Sequence, residues 1–95
     1  MVTFVNKLTV HGDTAAFLAV KGRLTAYMAA QPGYVSHQTL RHAGAPNVFL
    51  ELAVWQDAAA HGKAVRSEEF QALVKGLGPL ATPDPGLYET VEESV

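Results

Sequence analysis

The segment Val48–Trp55 (VFLELAVW) constrains this chain more than any other. It is β-branched and aromatic, and therefore strand-forming. Side chains alternate across a strand. Val48, Leu50, Leu52 and Val54 thus make one wholly aliphatic face, and Phe49, Glu51, Ala53 and Trp55 make the other. A carboxylate between two aromatics on a buried face costs several kcal/mol unless it is partnered or neutral. Glu51 is therefore either ion-paired, with Lys7 and Arg41 as the candidate cations, or a working group.

The 95 residues make a single domain, 1–95. A formal charge of −2 gives no basic footprint for nucleic acid. The chain has no Cys, which removes disulfides, thiolate metal sites and Cys nucleophiles together. No apolar run approaches a membrane span, and the first residues lack the pattern of a signal peptide, so the expectation is a cytoplasmic protein without membrane association.

Residues 2–10 read as a first strand, with Val2, Phe4, Asn6, Leu8 and Val10 on one face. Asp13 is placed as a helix N-cap, and Phe17, Val20, Leu24, Tyr27 and Met28 recur at helical spacing until Pro32-Gly33. Residues 34–42 form a second strand, with Val35, His37 and Thr39 sharing a face. The turn at 43–47 makes a hairpin with the 48–55 strand. A short Ala-rich helix opens after Gln56-Asp57, and Ser67, followed by Glu68-Glu69, caps a further helix. Residues 81–86 (ATPDPG) read as a turn-rich connector, and 87–91 as a last short strand.

The order is ferredoxin-like βαββαβ: an α+β fold whose antiparallel sheet carries its helices on one face. If Phe49 and Trp55 face the helices, the aliphatic face is left bare. A bare face of that kind marks an interface, and the expectation is a homodimer packed sheet to sheet.

Several segments in this order resemble the antibiotic biosynthesis monooxygenase family. They are Phe4-x-Asn6, Gln31-Pro32-Gly33-Tyr34-Val35-Ser36-His37, the strand-ending Trp55 with its following acid and Ala-rich helix, Arg66-Ser67-Glu68-Glu69-Phe70, and Leu87-Tyr88-Glu89. The resemblance spans about residues 2–91. It implies a dimeric α+β barrel with a pocket between sheet and helices. The family includes cofactor-independent oxygenases that oxidise phenolic polyketides to quinones, and haem-degrading enzymes. Asn6 matches the haem degraders, but their Trp and their iron-ligating His fall at Ala64 and Val74. The quinone-forming members are the better match. Trp55 falls on their strand-ending Trp, Tyr27 on a helix aromatic, Thr39 and His61 on pocket tyrosines, and Gln71 near an Arg. Glu51 stands where they carry an Asn, and a Glu can take a proton where an Asn can only polarise.

The resulting expectation is a monooxygenase that oxidises an aromatic, polyketide-type small molecule with O₂ and no bound cofactor or metal. The alternatives are a cofactor-free cyclase or isomerase, and a non-catalytic binding module. Glu51 or His61 would be the base, with desolvation favouring the neutral form of the carboxyl. Asn6 is either a core amide bonded to backbone or a contact to substrate or O₂. Tyr27, Phe49 and Trp55 would cage the ligand, and His37, Thr39 and Gln71 would line the same pocket. A minor alternative gathers Glu51, His37 and His61 around an iron ion.

Overall fold

The computed structural model describes residues 1–95. The elements follow in the order β1 (Val2–Val10), α1 (Thr14–Ala29), β2 (Tyr34–Arg41), β3 (Val48–Trp55), α2 (Ala58–Val65), α3 (Glu68–Val74) and β4 (Ala81–Glu89). The sheet is antiparallel with strand order β2-β3-β1-β4. This is the ferredoxin-like arrangement, and the helices lie on one face.

Each helix starts where a side chain satisfies its first N–H groups. Asp13 accepts from Ala15 and Ala16, Asp57 from Ala60, and Ser67 from Phe70. The Tyr27 hydroxyl lies 2.6 Å from Ser67 Oγ and 3.0 Å from Glu69 Oε2, which ties α1 to the start of α3.

The last strand is longer than the sequence pattern predicts. Residues 81–86 are not a connector: β4 runs from Ala81 and pairs with β1 from Val10↔Ala81 to Val2↔Glu89. Pro83 and Pro85 supply no ladder N–H, and such residues are confined to edge strands. β4 is an edge, so both are tolerated. Between them the Asp84 N–H donates to Asn6 Oδ1 at 3.1 Å, so a side chain completes the pairing.

A second departure lies at the start of β2. The register shifts between Tyr34 and Ser36, so Tyr34 pairs with Trp55 while His37 pairs with Ala53. The bulge takes Val35 out of the alternation. It brings Tyr34 to the same face as His37, where strict alternation puts it on the opposite one.

The helix-facing rows of the sheet then read, from β4 to β2, Pro85–Asn6–Glu51–Thr39, Leu87–Phe4–Ala53–His37, and Glu89–Val2–Trp55–Tyr34. Under the helices the core divides in two. Leu8, Val10, Phe17, Val20, Leu24, Phe49, Leu77 and Ala81 form one cluster. Ala53, Trp55 and Ala64 form the other, with Phe4, Met28 and Tyr34 packed on it. The opposite face of the sheet has no helix, and Val5, Leu40, Leu50, Leu52 and Val54 lie along it. No helix is long and apolar enough to cross a membrane.

Candidate active site

Between the two core clusters the sheet and helices leave a cavity of about 100 Å³ that opens to solvent. Ala53 gives it depth, because a methyl stands where Glu51 and Trp55 flank it along β3. Those two positions are four residues apart, about 13 Å along a strand. Phe4, Leu8, Leu24, Met28, Val65, Phe70, Val74 and Leu77 supply most of the apolar wall. An apolar cavity of about 150 Å³ takes one benzene. The space here is about two-thirds of that and open at its mouth, so it takes at most one aromatic ring, and a larger ligand must extend through the mouth. His37 is the one exposed residue of the lining and marks that mouth.

Polar groups gather at two ends of the cavity. At the Trp55 end, the His61 ring stacks on Phe4 (centroids 4.8 Å apart) and meets Trp55 edge-on at 5.5 Å. Tyr34 meets Trp55 edge-on as well, at 5.5 Å. Trp55 Nε1 and His61 Nε2 are both buried and have no hydrogen-bond partner. Buried polar atoms are nearly always paired, and these two exceptions belong to residues of the cavity wall. Desolvation lowers the His61 pKa from its ordinary value, keeping the imidazole neutral and its second nitrogen available as an acceptor. Tyr34 is raised from its ordinary value, by desolvation first and by the Glu51 charge second, so its hydroxyl stays a donor.

α2 is set against this end by Gly33. The residue has φ +90°, and a side chain there would collide with Ala60, the neighbour of His61. Its carbonyl accepts the Gln56 N–H at 2.8 Å.

At the other end, Glu51 is ion-paired, but with neither Lys7 nor Arg41. Its partner is Lys21 of α1: Nζ lies 2.9 Å from Glu51 Oε2, and the two side chains are only 10% and 13% exposed. Lys21 Nζ also donates to Thr25 Oγ1 at 3.3 Å. Thr39 Oγ1 donates to Glu51 Oε1 at 2.8 Å, and His37 Nδ1 lies 3.6 Å from Oε2. The apolar surroundings expected for Glu51 are thus broken by a cation, and both carboxylate oxygens are engaged.

The cavity brings together Asn6, His37, Glu51, Trp55 and His61 of the residues singled out from sequence. Asn6 combines its two readings: Oδ1 is bonded to the Asp84 backbone while the residue lines the cavity. Thr39 touches the site only through Glu51. Tyr27, Phe49 and Gln71 are placed elsewhere. Tyr27 is turned to Ser67 and Glu69, Phe49 packs on Phe17 at 5.2 Å, and Gln71 Nε2 donates to the Val65 carbonyl at 2.7 Å. No group of three or more His, Asp or Glu side chains is brought to metal-binding distance, so the third donor of an iron site is not supplied by the chain in this arrangement.

Sequence reading missed Lys21, Thr25 and Tyr34. Lys21 did leave a signal, since Phe17, Lys21, Leu24 and Met28 share one helical stripe and a Lys there is out of place. Tyr34 left none, because the bulge that redirects it has no sequence mark.

Residues 1–76 match the sequence profile of the antibiotic biosynthesis monooxygenase family. The chain belongs to that family. It is 40% identical over 87 residues to the deoxynogalonate monooxygenase of Streptomyces nogalater, an alignment covering 92% of this chain and 74% of that protein. Among solved structures it superposes on SnoaB, a cofactor-independent oxygenase from Streptomyces nogalater, with TM-score 0.92 and 38% identity, covering 97% of this chain and 94% of SnoaB. A conserved protein from Methanosarcina mazei shares the fold at TM-score 0.83 and 17% identity, over 92% of this chain and 89% of that one.

Proposed function

We propose that this chain is a cofactor-independent monooxygenase that oxidises an aromatic, polyketide-type small molecule with O₂. The unpartnered, buried nitrogens of His61 and Trp55, two residues that line an apolar cavity, carry the reading. The kinship to SnoaB and to deoxynogalonate monooxygenase supports the chemistry.

The steps balance without an external reductant. Neutral His61 Nε2 removes a proton from an activated ring carbon bearing two hydrogens. The carbanion passes one electron to O₂, and the resulting radical and superoxide combine into a C–O bond. The peroxide anion recovers the proton from the imidazolium. Loss of the second C–H proton with cleavage of the O–O bond gives the C=O of a quinone and one water. Trp55 Nε1–H and Tyr34 O–H are the donors positioned to hold substrate oxygens, and the apolar wall keeps bulk water from the anion. Glu51, engaged by Lys21 and Thr39, is a positioning residue in this scheme.

The test uses dithranol, a phenolic anthrone, in an oxygen electrode. One O₂ should be consumed per quinone formed. His61→Ala should lose about 10²–10⁴ in rate, as removal of a positioned base does, while Glu51→Gln stays within a few-fold. A dead Glu51→Gln with an active His61→Ala returns the base to Glu51. Conversion of dithranol to its anthrol tautomer without O₂ uptake indicates an isomerase, and binding without turnover indicates a binding module.

We also propose that a second copy of the chain covers the helix-free face. Leu50, Leu52 and Val54 each contribute about 1.5–3 kcal/mol when buried. Leu52→Lys should then dissociate the dimer in sedimentation, and a wild-type protein that sediments as a monomer at micromolar concentration refutes it.

A further inference from the structure

Lys21 has no part in the chemistry above, yet it lines the cavity and is the only Lys or Arg to do so. It is also the one charged residue of the chain that is buried, at 8% exposure. An ammonium carries three N–H donors and no acceptor. Glu51 Oε2 takes one and Thr25 Oγ1 another, and no protein group takes the third. The titratable groups around the ammonium are few. Glu51 faces it from β3, His37 and Tyr34 line the cavity from β2, and His61 lines it from α2. β1 contributes the neutral Asn6, and α3 contributes Phe70 and Val74.

An ion pair made only for stability would not need a cavity beside it. Replacing such a pair by apolar residues is commonly neutral or favourable. Here the wall holds a preorganised donor, with Glu51 keeping the cation in place.

We infer that the Lys21 ammonium is the anion-recognising group of the cavity, and that this chain takes its aromatic substrate through an ionised phenolic or enolic oxygen placed on Lys21. The inference rests on the cavity being the substrate site, as proposed above. It assigns the Lys21–Glu51 end to the acidic oxygen of the ligand and the Trp55–His61 end to its reacting carbon.

The probe is alizarin, a dihydroxyanthraquinone whose visible band moves when a phenol ionises. Bound to wild type, it should ionise at a pH lower by about one unit than in water, since a nearby opposite charge favours the anion. Lys21→Met should abolish that shift. Lys21→Arg, which keeps the cation, should retain most of it. Glu51→Gln should move the band the other way, further toward the anion, because it removes the competing carboxylate. The opposed signs matter, since a purely structural pair broken from either side gives the same change. All variants are compared well below their unfolding temperatures. Where Glu51→Gln does not fold, the Met and Arg variants at Lys21 decide alone.

Equal behaviour of Lys21→Met and wild type overturns the role of Lys21 and leaves the pocket standing. So do shifts of the same sign in Lys21→Met and Glu51→Gln. If wild type fails to bind alizarin while turning over dithranol, the anion site is refuted and the oxygenase reading survives. Failure of both overturns the two together.

Discussion

Breaking the Lys21–Glu51 pair is the perturbation whose cost follows most directly from the geometry. The two groups lie 2.9 Å apart with side chains only 10% and 13% exposed, so the screening that makes surface pairs nearly worthless is largely absent. Removing one member of a buried pair costs about 3–5 kcal/mol, because the other charge is left desolvated. For Lys21→Met the lower end applies. Glu51 keeps the Thr39 hydroxyl, and its side chain is not wholly cut off from solvent. A loss of about 3 kcal/mol corresponds to a Tm drop of about 12 °C or more in a domain of this size. Glu51→Gln should cost a similar amount, since the ammonium is then left with neutral acceptors, Thr25 and the amide oxygen, and no counter-charge. In the double variant Lys21→Met/Glu51→Gln no charge remains to be stranded, and it should recover about 2 kcal/mol relative to the sum of the singles. Urea denaturation of the four proteins, with calorimetry as a check on two-state behaviour, gives the coupling. Additivity within about 0.5 kcal/mol would mean that the charges do not see each other, and the buried pair would be refuted.

Three further outcomes follow from other parts of the site. Gly33→Ala places a side chain at φ +90° against Ala60, so it should destabilise by more than about 1–2 kcal/mol and displace His61, read as a lowered Tm and lost turnover. Because burial lowers the His61 pKa, the unfolded chain binds the extra proton first. The stability His61 contributes is therefore complete above about pH 6.5 and is lost as the pH falls from there through its lowered folded value. His61→Gln should flatten that part of the stability curve, and an unchanged slope would refute it. The phenol of Tyr34 should titrate above its ordinary value in a difference spectrum against Tyr34→Phe. Glu51→Gln should bring it back only in part, desolvation being the larger cause.

Much of the architecture was readable from periodicity alone. The alternation in Val48–Trp55 fixes an inner strand with one aliphatic and one aromatic face, and the order of patterns specifies the ferredoxin-like sheet. Glu51 was visible as an anomaly because local pattern is enough to show a charge on a buried face. Its partner was not, since Lys21 lies thirty residues earlier and meets it only when α1 crosses the sheet. Asp13 and Ser67 were legible as caps, because capping is settled within three or four residues. The β4 prolines misled for the opposite reason. They are breakers by local rule, and only the position of β4 at the sheet edge makes them harmless.

The site shows the same division. Composition and pattern determined the kinds of group present: one Trp, a strand Glu, histidines in a Cys-free chain. Tertiary structure decided which of them meet. The bulge at Val35 turned Tyr34 inward, the Ser67 cap drew Tyr27 away, and Gly33 seated α2 so that His61 reaches Trp55. Propensity and periodicity act over a few residues, whereas a cavity is made by contacts between elements distant in the chain, and no local pattern encodes where those elements cross.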